Sequence, residues 1–486
     1  MRLNTRALVA ALLALAVPAL AAAASTASND KIPITTSSEE ARQLYVKGRD
    51  LAEKLRATDA RALYMQAAEK DKTFALAQLG LANTAGTAKE FFDSLGQAVT
   101  LSGKVSEPER LLIAGVDAGA KGDVTRQRES FTKLVASFPH DERAHNLLGG
   151  YYFGRQEYAA AVAEYEKATT INPSFSQPYN QMGYAYRFLY KYPEAEKAFK
   201  KYIELIPGDP NPYDSYAELQ MKTGRFEESI KSYEKALAID ANFVASYVGI
   251  GNDYMFQGKT DDARKAYARL TKVARNDGER RQALLWTAMA YAYDAAWDKA
   301  LAELDKMAAI AFAAKDLGNL ANDYNLIATM QLEAGRPDDA LAKFKLQVET
   351  SDKSSVPDEV KAATRRNFIF DEGWVAVVKN DLPTAKEKAA AYAKAISKTR
   401  PFEVRQSHEL NGLIAIAEKK WKVAIAELAQ ANPRDPRIFY LTAVAQKGAG
   451  DAKGAKKSAQ KVTGFNSLAL NYAFVRRKAD TLLAGK

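Results

Sequence analysis

The 486-residue chain has no cysteine and only three histidines. Without thiols it has no disulfide staples, no thiolate metal site and no lipidated cysteine of the bacterial lipoprotein kind. Three histidines leave little material for acid–base or metal chemistry in a chain this long. Phosphate-cradling loops are missing too: Gly103-Lys104 lacks a glycine five residues upstream, and the Gly450/Gly454 segment has the wrong spacing. Neither HExxH nor GxSxG occurs. Past residue 24, no run is apolar enough to cross a bilayer. Together these absences predict no catalysis, no cofactor and no resident metal.

The one long uncharged run comes first. Arg2 and Arg6 precede the run from Ala7 to Ala24, which carries no charge and ends in small-residue pairs such as Ala22/Ala24. That pattern predicts a signal peptide over residues 1–24 and an exported protein, periplasmic or secreted; the alternative is an uncleaved anchor. Residues 25–40 read as a flexible N-terminal segment. Net charge is +10, and from Arg437 onward ten Lys/Arg face only Asp451 and Asp480. The chain between the signal and Arg437 is neutral overall.

What the chain does have is a period. Small residues closing a helical apolar pattern recur at Gly48, Ala82, Gly115, Gly149, Gly183, Ala217 and Gly251, at spacings of 33 or 34. Sixteen residues after each comes Tyr64, Ala98, Phe131, Tyr165, Phe199, Tyr233 or Tyr267, and seven residues after three of them comes Gly122, Gly224 or Gly258. Pro139, Pro173 and Pro207 fall between units. Each unit therefore reads helix, tight turn, helix, turn. Later small slots at Ala288, Ala328, Gly373, Gly412 and Ala443 follow at 31 to 45 residues, which requires longer helices or loops. The polar stretches Ser351–Glu359 and Ser397–Pro401 are candidate loops.

The units from His145 to Pro173 and from Tyr179 to Pro207 carry a large–small–aromatic–alanine–aromatic–proline series that resembles the tetratricopeptide repeat. The resemblance implies an all-α, right-handed superhelical solenoid of about twelve helix-turn-helix units. The regular array spans 41–275, an irregular one 276–467, and a capping helix and tail 468–486. It also implies a scaffold or adaptor that binds a protein or peptide partner rather than nucleic acid.

Other features read as structural. His145 and His408 stand four residues before small slots, where Tyr179, Tyr213, Tyr247 and Tyr324 stand elsewhere, so packing is expected of them. The pairs Glu227-Glu228, Asp261-Asp262 and Asp338-Asp339 open second helices and are expected to cap them. Trp297 and Trp421 match the packing aromatics Tyr158, Tyr192 and Phe226.

Residues three before, one after and four after each slot form a separate helical stripe. In the resembled family that stripe lines the concave groove. Here it gives Asn146, Gly150 and Phe153; Asn180, Tyr184 and Arg187; Asp214, Glu218 and Met221; then Val248, Asn252 and Met255. The asparagines, 34 apart, suit pairing with the backbone of an extended peptide, in an arrangement similar to the asparagine ladder of O-GlcNAc transferase. Asp214 and Val248 interrupt the ladder, and Asn325 resumes it. A second expectation concerns Lys447, Lys453, Lys456, Lys457, Lys461, Arg476, Arg477 and Lys478, a basic set suited to anionic envelope polymers or lipid head groups.

Overall fold

A computed structural model of the chain describes residues 30–397, 400–466 and 470–485. The predicted signal peptide and Leu468 lie outside these residues. Among the described residues there are twenty-five α-helices and no strand. They pair as successive units: α1 (Glu39–Glu53) with α2 (Ala57–Lys70), α3 (Ala75–Asn83) with α4 (Ala88–Leu101), α5 (Glu107–Ala120) with α6 (Val124–Ser137), and α7 (Glu142–Gly154) with α8 (Tyr158–Ile171). Then come α9 (Ser176–Phe188) with α10 (Tyr192–Leu205), α11 (Asn211–Lys222) with α12 (Phe226–Ile239), α13 (Val244–Phe256) with α14 (Thr260–Val273), and α15 (Asp277–Tyr293) with α16 (Trp297–Ala313). The last are α17 (Leu317–Glu333) with α18 (Pro337–Lys353), α19 (Asp358–Val378) with α20 (Leu382–Ala395), α21 (Pro401–Ala417) with α22 (Trp421–Leu428), and α23 (Pro436–Gly448) with α24 (Ala452–Thr463). Helix α25 (Tyr472–Leu483) closes the chain. None of the described helices is long and apolar enough to cross a membrane.

In the regular array the glycine slots exist because an aromatic ring packs directly against them; at Gly373 and Gly412 a leucine takes its place. A Cβ added at Gly149 would sit 2.5 Å from the Tyr165 ring, at Gly183 2.5 Å from Phe199, and at Gly251 2.0 Å from Tyr267. Those rings are almost fully buried. The turn inside every unit but the second holds one left-handed residue, and it falls seven residues after the slot, in the irregular half too: Ala295, Gly335, Asn380, Lys419 and Gly450. The longer intervals come from longer helices: α15 to α18 have 17 residues each and α19 has 21.

Two expectations change in their detail. The paired acids do occupy the first turns of α12, α14 and α18, but no side chain caps those helices by hydrogen bond. They act through the helix dipole and through ion pairs such as Arg264–Asp261. The histidines are more than packing: His145 Nδ1 meets Glu164 at 2.7 Å and Nε2 meets the Pro139 carbonyl at 3.0 Å, while His408 meets Glu427 at 2.8 Å. Each ties the two helices of its unit together.

The array coils back on itself. Arg56, in the turn of unit one, lies 3.9 Å from Asp240 at the end of unit six. Ala88 of unit two approaches Gly318 of unit nine. Gln156 of unit four accepts a 2.9 Å bond from Arg405 of unit eleven, and Arg434 sits 4.3 Å from the Tyr158 ring and 5.6 Å from Phe188. The edge holding the intra-unit turns in one coil thus rests on the edge holding the inter-unit turns in the next.

Both chain ends are drawn into this arrangement. Residues 31–38, within the segment expected to be flexible, lie extended, with 32, 34, 36 and 38 turned inward and the odd positions more exposed. Hydrogen bonds to units four and three and to the junction of units one and two hold them there. Helix α25 not only caps the last unit but also packs against α15. Tyr472 lies 4.8 Å from Phe256 and 6.2 Å from Tyr293, and Arg476 donates to the Phe256 carbonyl at 3.1 Å.

Candidate binding surfaces

First helices of successive units touch one another, as α7 with α9, α9 with α11, α11 with α13 and α13 with α15, so the stripe residues follow one another along the inner surface. Asn146 sits where two cavities meet. One, of about 570 Å³, is lined by Tyr45, Arg49, Leu76, Leu79, Leu112, Val116, Asn146 and Gln177, with Ile32 and Ile34 as its outer wall. The other, also of about 570 Å³, continues past Asn146 along Gly150, Tyr151, Gly154 and Gln181 to Phe402 of α21. Asn146 donates to Gln177 Oε1 at 3.0 Å, and its own Oδ1 is buried with no partner. Asn180 is 4% exposed, and its Oδ1 is likewise unpartnered. A buried acceptor left unpaired costs about 1–3 kcal/mol, so these two amides are poised to gain from a donor.

The next residues form a linked polar network. Arg187 donates to Glu218 at 2.8 Å and lies over the Tyr184 and Phe188 rings at 4.7 and 5.1 Å. Tyr184 donates to Ser215 at 3.3 Å. Asp214 accepts from Ser246 at 2.7 Å, yet burial, with the Glu218 charge adding to it, pushes its carboxyl up to about 8. Phe153 packs in an aromatic group with Tyr158 and Phe188, at 5.2 and 5.8 Å.

At the far end the stripe is sealed. Met221, Asn252 and Met255 have no exposed surface, and the methionines belong to the core cluster that also contains Tyr472, Phe474 and Val475 of α25. Asn252 donates to the Val248 carbonyl of its own helix. The structure therefore divides the expected peptide-binding residues among four settings: Asn146 open to cavities, Asn180 buried with an unpartnered oxygen, Tyr184 to Glu218 in a network, and Met221 to Met255 under α25. The sealing comes from contacts between coils, which carry no periodic signal in the sequence.

The basic set divides similarly. Arg476 also donates to Asn466, Arg477 to Asp294 at 3.0 Å, and Lys478 to Glu333 at 2.9 Å, so these three clamp α25 to the preceding coil. Lys447, Lys453, Lys456, Lys457 and Lys461 are exposed, and Lys461 lies over the Phe439 ring at 5.5 Å. Among the described residues, no group of His, Cys, Asp and Glu is arranged to hold a metal ion.

Sequence reasoning did not single out the rim where Asp71, Glu109 and Asp141 stand. Asp71 and Asp141 each use Oδ1 to accept from the N–H two residues on, at 2.8 Å, forming the turn into the next unit. Their Oδ2 atoms face outward. The signal for an occupant was present in the alternation of Ile32 and Ile34 around Pro33.

A tetratricopeptide repeat model matches residues 114–174 and 248–315, and a second one matches 176–209 and 211–243. Among solved structures, a tetratricopeptide repeat protein from Parabacteroides merdae is 15% identical, with 56% of this chain and 94% of that one covered at a TM-score of 0.36. TTC0263, a tetratricopeptide repeat protein of Thermus thermophilus, is 18% identical over 39% of this chain and 99% of its own, at 0.33. The MamA protein is 20% identical over 34% and 91%, at 0.29. No curated protein matches the chain. The paired helices, the 34-residue register and the matched models agree: the chain carries tetratricopeptide repeats, matched from 114 to 315, and has the form of a protein-interaction scaffold.

Proposed function

We propose that the chain is a non-catalytic scaffold that seats an extended polypeptide segment on the inner face of units one to five. The observation that carries this reading is Asn146, whose unpartnered amide oxygen is buried where two cavities join. Asn180, one unit on, repeats the unpartnered acceptor. An extended chain offers N–H donors along its length, and side chains such as Leu76, Leu112 and Val116 supply apolar contact. Export belongs to the same proposal and rests on Arg2, Arg6 and the uncharged run after them.

The test is a peptide display selection on the full chain, followed by titration of the selected peptides against Asn146→Ala and Asn180→Ala. Loss of one buried hydrogen bond should weaken binding about tenfold. Selected peptides that bind both variants as tightly as the parent would show that the inner face is not the seat.

A second reading, adsorption to anionic polymer or lipid head groups, is supported by the exposed row Lys453, Lys456 and Lys457 on α24, which has no ion pair among the described residues. Binding to anionic vesicles that collapses between low and high salt would favour it.

A further inference from the structure

The segment 31–37 is bound as a peptide ligand would be. The Ile32 N–H donates to Asp141 Oδ2 at 2.8 Å. Three residues on, the Thr35 N–H donates to Glu109 at 2.8 Å, and the Thr35 hydroxyl donates to the same carboxylate. At the other end Asp71 Oδ2 accepts from the Thr36 hydroxyl at 2.6 Å, the Ser37 N–H at 2.9 Å and the Ser37 hydroxyl at 3.1 Å. Lys31 donates to the His140 carbonyl at 2.8 Å and pairs with Glu142. The segment therefore runs antiparallel to the array, from the start of unit four to the end of unit one. Three extended residues span about 10 Å, close to the separation of packed helices, which lets Ile32 and Thr35 reach the carboxylates of units four and three; Asp71 takes the next two residues, Thr36 and Ser37.

Chemistry on the rim side is uniform. Apart from the His140 carbonyl, every acceptor is a carboxylate oxygen, so the rim selects donors: backbone N–H groups, Ser/Thr hydroxyls and one ammonium. Burial opposes ionisation of Asp71, but bonds from Thr36, Thr73 and the Ser37 and Thr73 amides hold its carboxyl well below the usual range. Inward positions accept aliphatic side chains, since Ile34 packs on the core of units one to three. Acidic or phosphorylated residues would meet like charge at each step.

We propose that the rim formed by Asp71, Glu109 and Asp141 is a docking surface for an extended, acid-free, Ser/Thr-rich segment of another protein, with aliphatic residues at alternate positions. Residues 31–37 occupy it in the free chain. This surface adjoins the cavity at Asn146, whose outer wall is Ile32 and Ile34, but it binds through different side chains, so Asn146→Ala in the opened chain should leave the affinity of the test peptide unchanged.

The test uses the full chain and a fluorescent acetyl-KIPITTSS-amide peptide. An Ile32→Asp/Ile34→Asp variant dislodges the chain's own segment without touching the rim. Saturable binding is expected to this variant, at least tenfold tighter than to the parent chain, whose tethered segment competes at high effective concentration. Adding Asp71→Asn and Asp141→Asn keeps the Oδ1 turn bonds but replaces the outward oxygens by NH₂ groups, and should cost at least tenfold in affinity. The same peptide with its two threonines changed to Asp should not bind. Circular dichroism establishes that the variants are folded; Thr35→Asp serves as the opening variant if the double change does not fold. Absence of binding to a folded, opened chain overturns the proposal, as does binding indifferent to Asp71→Asn/Asp141→Asn.

Discussion

Two glycines on inner helices should respond oppositely to the same added methyl group. At Gly251 the new Cβ would lie 2.0 Å from the fully buried Tyr267 ring, so Gly251→Ala is expected to cost about 1–3 kcal/mol by overpacking. At Gly150, within α7, a Cβ meets nothing within 4 Å, and Gly150→Ala should gain roughly 0.5–1 kcal/mol from helix propensity. Denaturant midpoints report both; an unaffected Gly251→Ala chain would remove the aromatic seat as the reason for the period. The small slots were legible in the sequence because each is a local consequence of its own unit. The states of buried carboxyls were not, because they depend on what covers them. Burial pushes Asp253, packed near Tyr233 and Tyr267, up to about 8, and Asp214, facing Glu218, Ser246 and Tyr184, to about 8 as well. Unfolded Asp ionises near 3.9, so between roughly pH 4 and 8 the native state holds more protons. That stabilisation is complete below about pH 4 and is lost as pH rises through 8. The melting temperature should therefore fall between pH 6 and pH 8, and Asp253→Asn should flatten the decline. An identical slope in the variant would mean Asp253 is ionised in the fold.

Helix α25 shows where reading by elements succeeds and where it stops. Its apolar spacing and interleaved Arg476, Arg477 and Lys478 mark a terminal helix, and a helix does span Tyr472–Leu483. Its partners are not visible in the sequence, because Phe256, Asp294 and Glu333 lie 220, 183 and 145 residues from the side chains that reach them. The same distance hides the fate of Met221 and Met255, which read as groove residues and are buried in the cluster α25 completes. Tyr472→Ala should cost about 3–5 kcal/mol, the range for emptying a buried aromatic site. It should also expose those methionines. Peroxide oxidation of Met221 and Met255, followed by peptide mass analysis, should be faster in the variant than in the parent. Equal protection would mean the neighbouring units alone bury them, and α25 would then be only a cap.

In a simple solenoid each unit touches only its neighbours, and stability is a sum of local terms. Here the coil adds a second class of contact, and the two differ in kind. Neighbouring units share apolar clusters, whereas the coil edges of the early units meet largely through long polar side chains: Arg56 toward Asp240 at 3.9 Å, Arg275 toward Asp59 at 4.0 Å, Arg405 onto Gln156 and Arg434 over Tyr158. Exposed ion pairs contribute about 0–1 kcal/mol each and cation–π contacts about 0.5–2, so the coil edges should part well before any unit unfolds. Arg405→Ala/Arg434→Ala should accordingly raise the radius of gyration measured by small-angle scattering while leaving helical circular dichroism unchanged. Phe402, the α21 wall of the second cavity, would move with its helix, so the inner face from Gly150 to Gln181 should open in the same variant. A radius of gyration equal to the parent's would show that unit-to-unit packing alone sets the coil, and the inner cavities would then be fixed features rather than ones governed by contacts between turns.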